Sequence, residues 1–311
     1  MSDAADGRGA QKIDNRPRVQ ETTLMAISPI LTRLEPAEQR LRVLTHNIFG
    51  RQAGWEDRRR VLQEGIRRLQ PDVATLQETT LVEGYDQIRD LFGDDVHIVH
   101  SDERGPDGVG ISIVSRWPIT DVQELDLKVT PRTADFACTA LLAAIAAPPP
   151  FGPLLLINHF PDYQLNHEYE RELQTVLTAR SIEKIIGQRD LHVVLAGDLD
   201  AEPDAASIRF LAGKQSLASM SVCYRDAWER VHPEAPGHTF TAKNPLVTAA
   251  NWDWPFQQID HIFVRCGEHG GPTLDITACE LAFNEPIDGV WASDHFALVA
   301  DLAVPNARRP L

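Results

Sequence analysis

The chain has 311 residues, 43% apolar and 24% charged, with a formal net charge of −15. Its length allows one large domain or two ordinary ones with a sizeable core, and its composition is ordinary for a soluble globular protein. The acidic balance disfavours tight, sequence-blind nucleic-acid binding, which draws its affinity from Lys and Arg on phosphates.

Met1–Arg40 carries six acidic and six basic residues, so the whole deficit lies in the body that follows. Part of it could be a carboxylate cluster whose metal ion reverses the local sign. Cys138, Cys223, Cys266 and Cys279 show no Cys-x-x-Cys pairing and no zinc spacing, as expected of buried thiols in a reducing compartment. The N-terminus has no apolar core of a secretory signal. The most apolar region, Ala140–Ile157, is interrupted by Pro148, Pro149, Pro150, Gly152 and Pro153, too often for a transmembrane helix. A soluble cytoplasmic protein with no membrane span is the expectation.

Residues 1–20 are polar and read as disordered; residues 21–40 could hold a short helix or an extra strand. The expected organisation is an N-terminal extension over 1–40, one domain over 41–304 and a tail over 305–311. Arg42–Phe49 reads as a strand ending in polar residues. Glu56–Gln70 places Leu62, Ile66 and Leu69 at helical spacing, with arginines opposite and Pro71 as the stop. Of these arginines, the run Arg58–Arg60 reads as the solvated face of the helix. Val73–Leu76 is a short buried strand, and Gly110–Ser115 and Cys138–Ala147 are strands around a loop. The Pro-Pro-Pro turn leads into a strand over Leu154–His159.

Glu168–Gly187 is a second amphipathic helix with Leu173, Val176, Leu177, Ile182, Ile185 and Ile186 as its stripe and Gly187 at its C-cap. His192–Ala196 is a strand, and Asp204 could cap a short helix carrying Ile208 and Leu211. Ile259–Val264 and Phe296–Leu302 are further strands. Two halves each run strand, helix, strand, which fits two sheets packed face to face with helices outside.

Polar residues recur where apolar strands begin or end. Asn47 follows RVLTH, Glu78 follows VATLQ, His159 follows LLLIN and Asp198 follows VVLAG; Asp260 opens an apolar run, and Asp294–His295 precedes FALVADL. Singly, such residues are turn formers or hydrogen-bonded structural groups. Together they form a Glu, Asp and Asn oxygen set that suits Mg2+, Mn2+ or Ca2+ and does not suit zinc.

These segments carry a resemblance. LTHNIFG, PDVATLQE, GVGISIVSRWPI, INHF, VVLAGDLD, QIDHIFV and WASDHFALVADL occur in this order, over Leu41 to about Val304. In this the chain resembles the endonuclease/exonuclease/phosphatase superfamily, the deoxyribonuclease I-like fold. The resemblance implies an α+β, four-layer α/β sandwich of two mostly antiparallel sheets. It implies Glu78 as the principal metal ligand, with Asn47 beside it and Asp294 completing or supporting the site. Asp198 would position or deprotonate the attacking water, and His295, oriented by Asp260, would contact the scissile phosphate. His159 would stabilise the phosphate or protonate the leaving oxygen. The expected cofactor is Mg2+ or Mn2+, with Ca2+ also compatible.

In-line phosphoryl transfer needs an ion on the equatorial oxygens, a group orienting the nucleophile and a donor for the leaving group. The chain departs from the family at Asp200, where Asn is usual. An amide can donate a hydrogen bond and an ionised carboxylate cannot, so Asp200 either recruits a second cation or is protonated beside Asp198. His261, in place of a usual Tyr, is expected to affect packing only.

Three competing motifs fail. Asp198-x-Asp200-x-Glu202-x-Asp204 resembles a calcium loop, but Pro203 stands where Gly is needed and Arg209 where Glu is needed. There is no Walker A sequence around Gly213-Lys214, and His167-Glu168 lacks the second His of a zinc-protease helix. Arg116 and Arg132 could reach a phosphate, with a structural salt bridge favoured for Arg116. Asp162, Tyr163, Asn166 and His167 could line the cleft. Trp252, Trp254 and Phe256 could form an aromatic wall or a turn packed on the core.

The expected activity is metal-dependent hydrolysis of a phosphomonoester or phosphodiester. WPFQQID lacks the cysteine-containing signature of inositol phosphatases, and no secretion signal of a secreted sphingomyelinase or nuclease is seen. A small phosphorylated metabolite or lipid head group is therefore favoured. DNA or RNA cleavage, and a catalytically weakened binding protein of the same fold, are the alternatives.

Overall fold

The computed structural model describes residues 40–187, 189, 191–249, 256–267 and 271–305, all within the compact unit Pro36–Leu311. The expectations for residues 1–39, for Trp252 and Trp254, and for the tail from 306 lie outside the described residues. The first half contains β1 (Leu41–Asn47), α1 (Trp55–Leu69), β2 (Val73–Val82), β3 (Tyr85–Asp86), α2 (Gln87–Phe92), β4 (His97–His100), β5 (Val109–Ser115), β6 (Ile119–Asp126) and β7 (Thr139–Ile145). The second contains β8 (Leu154–Phe160), α3 (Glu168–Ile186), β9 (His192–Asp198), α4 (Ala206–Leu211), β10 (Tyr224–Asp226), α5 (Ala227–Val231) and β11 (Phe240–Thr241). It continues with α6 (Pro245–Ala249), β12 (Phe256–Gln257), β13 (Asp260–Arg265), β14 (Asp275–Ala282) and β15 (Ala297–Ala303).

One sheet runs β14-β15-β1-β2-β5-β4, with β3 added beside β2, and the other runs β10-β13-β9-β8-β7-β6. Each is antiparallel except for one parallel pair, β1 with β2 and β8 with β9. Those pairs are the two strand–helix–strand units of the sequence, because a parallel neighbour requires a crossover and α1 and α3 supply it. The expected α+β sandwich of mostly antiparallel sheets is the observed one.

Strand alternation builds the four layers. Leu41 and Val43 of β1 face Leu154 and Leu156 of β8 between the sheets, with Ile262, Val264, Leu298 and Ala300. Leu44, Ala74 and Leu76 face outward under Val61, Leu62 and Ile66 of α1. Leu155, Ile157, Val193 and Leu195 face outward under Val176, Ala179 and Ile182 of α3. At the end of this core, Asn158 donates to Leu76 O (3.0 Å) and Ser112 O (2.9 Å) and accepts from Gln77 Nε2 (2.7 Å), joining the sheets through a buried amide.

Several elements differ from expectation. β2 runs through Val82 rather than ending at Leu76, because the ladder with β5 resumes at Thr79 and Thr80 after an irregularity that skips Gln77 and Glu78. β6 and β14 are largely exposed on one face and carry little apolar signal. The buried face of α3 holds Glu170, Arg171, Gln174, Thr175 and Thr178 beside Val176, Ala179 and Ile182, so its first half is a polar clamp rather than a stripe. Gln174, for example, accepts from Asp162 N (3.1 Å) and donates to Leu127 O (2.8 Å).

Arg58 departs most. It is 2% exposed, and its guanidinium donates to the carbonyls of Ile48, Phe49, Gly50, Gln52 and Ala292 at 2.7–3.1 Å. Arg59 and Arg60 do pair at the surface, with Asp90 and Asp57. Arg116 forms the expected salt bridge, 2.8 Å to Asp72. Cys138, Cys266 and Cys279 are buried free thiols, and Cys223 is half-buried.

β8 and β9 approach so closely that a Cβ at Gly197 would lie 2.1 Å from His159 O. Gly197→Ala is expected to cost about 2–3 kcal/mol through forced overpacking, read as a lower urea midpoint at unchanged slope.

Candidate active site

The strand ends of both sheets meet at one pocket of about 460 Å3. Asn47, Glu78, Asp198, Asp200, Asp294 and His295 line it, with Phe49, Phe136, Phe160, Tyr163, Leu165, Phe240 and Ile259 as apolar walls. Among the described residues no lysine or arginine lines it. A cavity of similar size, about 450 Å3, opens beside Trp228, and Lys214 and Glu229 in its lining pair with each other (2.8 Å).

Backbone geometry decides which strand-end residues reach the pocket. Asn47 and Asp198 share the inward parity of Val43 and Val194, so simple alternation delivers them. Glu78 has the parity of Ala74 and Leu76, which pack under α1. The irregularity in β2, with Glu78 in the left-handed region (φ 52°), turns its carboxylate inward. Asp200 also sits at positive φ (48°) and bends the chain back beside Asp198, whose Oδ1 accepts from Asp200 N (3.3 Å).

Asn47 Nδ2 donates to Glu78 Oε1 (3.0 Å) and Asp198 Oδ2 (2.9 Å), bridging the two sheets. Its Oδ1 accepts from Phe49 N (3.0 Å), which fixes the amide orientation. So placed, Asn47, the metal-ligand candidate of the sequence, lies between Glu78 and Asp198 and orients both carboxylates with its NH2. Ser293 Oγ donates to Asn47 O (2.7 Å), and Asn244 Nδ2 donates to the carbonyls of Ser293 (2.7 Å) and Asp294 (3.1 Å). Sequence reasoning missed Ser293, Asn244 and Arg58; only the Ser-Asp-His run was visible.

His295 Nδ1 lies 2.9 Å from Asp260 Oδ2, and its Nε2 lies 3.8 Å from Asp198 Oδ2. Asp198, Asp260 and His295 offer atoms within 4.8 Å of one another, a buried Asp-Asp-His group. Burial alone would lower the His295 pKa, but Asp260 and Asp198 hold it well above its ordinary value, so the ring is cationic. The carboxyl pKa values are raised too, which for an acid favours the neutral form. Burial and the charge of Asp294 raise Glu78, burial raises Asp294, and burial with Asp200 raises Asp198 well above its ordinary value. Burial pushes Asp200 up to about 7. Four carboxyls short of positive charge are a hard-oxygen donor set that fits a divalent cation.

His159 does not join them. It follows the outward parity of Leu155 and Ile157, with no irregularity to turn it, and its Nδ1 meets Thr178 Oγ1 of α3 (3.2 Å). Burial lowers its pKa to about 3, leaving it neutral, and it is not among the residues that line the pocket. Arg132 is engaged by the buried Glu170 (3.1 Å) and by Asn166 O (3.1 Å), so neither Arg132 nor Asn166 lines the pocket. Asp162 and His167 pair with each other (2.7 Å), and of that segment Tyr163 and Leu165 reach the pocket. His261 does more than pack. Its ring bridges Asp226 Oδ2 (2.8 Å) and Ala201 O (3.0 Å), tying down the loop that carries Asp200.

A family model described as Endonuclease/Exonuclease/phosphatase family matches residues 44–295. The chain belongs to the endonuclease/exonuclease/phosphatase family. Its members are metal-dependent phosphoester hydrolases. A Drosophila melanogaster protein named "Putative neutral sphingomyelinase" is 31% identical over 159 residues, 47% of this chain. That match spans 32% of the relative's length, about a third. The fold is shared with D. rerio TDP2 complexed with single strand DNA product (TM-score 0.64, 22% identity, 85% of this chain and 99% of that one). It is shared also with the human Nocturnin catalytic domain with bound sulfate (0.66, 19%, 86% and 95%) and a Bacteroides vulgatus endonuclease/exonuclease/phosphatase (0.63, 19%, 86% and 99%). Among the described residues no helix is long and apolar enough to cross a membrane.

At each raised carboxyl the metal-free folded state holds its proton to higher pH than the unfolded chain, for Asp200 up to about pH 7. These groups therefore contribute stability that is lost as pH rises, the opposite sign to the neutral His159. Glu78→Gln is expected to raise the metal-free Tm at pH 7.5 by about 2–4 °C. Differential scanning calorimetry with and without Mn2+ checks this: added Mn2+ raises the wild-type Tm and raises that of the variant less.

Proposed function

We propose that the chain is a Mg2+- or Mn2+-dependent phosphodiesterase acting on a small metabolite or lipid head group. One observation carries the reading: carboxylates from both sheets and a cationic His295 converge on a single pocket with apolar walls. Glu78 and Asp294 would hold the cation, whose charge neutralises the phosphate oxygens and polarises phosphorus toward attack. Asp198, held by Asn47, accepts a hydrogen bond from the attacking water and takes its proton. His295, anchored by Asp260, donates from Nε2 to a phosphate oxygen. Asp200, whose pKa burial pushes up to about 7, would supply in its protonated form the donor that the usual amide supplies. The apolar lining and the likeness to the Drosophila relative support a lipid head group.

Nucleic acid is the second reading, supported by the fold shared with a DNA-bound TDP2. Against it stands a pocket lining without lysine or arginine among the described residues, where a polyanion gains its affinity from such groups.

With Mn2+ and bis-p-nitrophenyl phosphate, Glu78→Ala and His295→Ala are each expected to lower kcat/KM by about 100-fold or more. Equal rates in all three proteins would point to a binding protein of this fold. Asp200→Asn is expected to stay active and to change the pH profile. The protonated fraction of Asp200 falls as pH rises through about 7, so the wild-type rate declines on that side, whereas an amide has nothing to lose. An unchanged profile would remove the donor role from Asp200.

A further inference from the structure

Three aromatic rings on one side of the pocket are left unused by the chemistry above. Phe136 precedes β7, Phe160 ends β8 and Tyr163 follows it, so two separate stretches of chain deliver rings to one place. Phe136 packs on Phe160 at 5.3 Å with a 56° tilt and on Tyr163 at 5.0 Å edge-on (65°). All three line the same pocket as Asp198 and Asp200. Rings tilted steeply against one another do not form the parallel stack that a flat base would enter. Tyr163 is 38% exposed, a large apolar ring left open at the pocket mouth.

The electrostatics of the pocket specify what those faces should meet. Its lining includes four carboxyls and one cationic imidazole, with no lysine or arginine among the described residues. The arginines flanking the aromatic side are engaged, Arg132 by Glu170 and Arg171 by Glu168 and the carbonyls of Asp162 and Gln164. A ligand with a second phosphate would add repulsion, whereas one carrying a positive group beside its single phosphate would relieve it. Aromatic faces favour a cation that is weakly hydrated and needs no hydrogen-bond acceptor, which describes a quaternary ammonium better than a primary one.

We propose that Phe136, Phe160 and Tyr163 form a cage for a trimethylammonium group, and that the substrate is a choline phosphodiester. This rests on the phosphodiesterase reading and narrows its substrate class. In the reaction, the water oxygen bonds to phosphorus as the bond from phosphorus to the other ester oxygen breaks. That oxygen leaves as an alcohol with one proton, and phosphocholine is the second product.

The test compares p-nitrophenyl phosphorylcholine with p-nitrophenyl phosphorylethanolamine, which differ only in the three methyl groups, using bis-p-nitrophenyl phosphate as the control and Mn2+ throughout. The choline ester is expected to have a kcat/KM about tenfold or more above the ethanolamine ester. Phe136→Leu and Tyr163→Leu should bring that ratio toward one, and Tyr163→Phe, which keeps the ring, should preserve it. Because the ratio is internal to each protein, partial loss of folded material does not mimic the effect. Mixed micelles of sphingomyelin or phosphatidylcholine then separate the sphingolipid source from the glycerolipid one. Equal rates on the choline and ethanolamine esters, with the control cleaved, would overturn the cage and leave the phosphodiesterase standing. Faster cleavage of a single-stranded oligonucleotide than of the choline ester would also overturn it. Hydrolysis of none of these with Mg2+ or Mn2+ would instead remove the phosphodiesterase reading beneath it.

Discussion

Glu78, Asp198, Asp200 and Asp294 lie around one pocket with Asp260 buried beneath them, and this crowding of like charge is the constraint that the surrounding structure answers. Each carboxylate would be cheaper in water or farther from the others. Three devices make the arrangement tolerable. Asn47 places its two amide hydrogens between Glu78 and Asp198, and His295 stands as a cation between Asp198 and Asp260. Arg58, buried behind the loop after β1, adds a third positive field on Glu78 and Asp294. On the proposed reading, the residual imbalance favours uptake of a divalent cation and is built into the fold before any ligand arrives.

Arg58 shows how such a site is kept rigid. Its five donors close onto carbonyls from the turn after β1 and onto Ala292, two residues before Asp294. One side chain thereby sets the spacing of two chain segments that are distant in sequence. Ser293, Asn244 and His261 act in the same way on the backbone at Asn47, Asp294 and Ala201. The reacting groups themselves make few contacts, so their precision comes from these neighbours.

On the proposed reading, charge and shape together narrow the substrate more than the fold does, since many chemistries share this architecture. A pocket acidic at its floor and aromatic on one side favours a ligand with one phosphate and an apolar or cationic remainder. The same features work against an extended polyanion.

The apolar runs by themselves determined most of the scaffold. Both strand–helix–strand units, the sandwich they build and the polar residues at strand ends are local patterns, and local patterns survive in a single sequence. What tertiary structure alone decided was the facing of residues in strands buried on both sides. β8, LLLINHF, is buried throughout, so its run of apolar residues announces a strand without marking which parity meets the cleft. His159 falls on the α3 side for that reason. Glu78 has the corresponding outward parity in β2 and reaches the pocket only through one irregular step at positive φ, which no residue type there advertises. Arg58 stands four residues before Leu62, on the buried face of α1. It is held there because the loop leading into the helix and Ala292 from far along the chain bring five carbonyls onto its guanidinium. The aromatic trio is the same case, with each ring unremarkable in its own segment and meeting the others only when β7 and β8 pair.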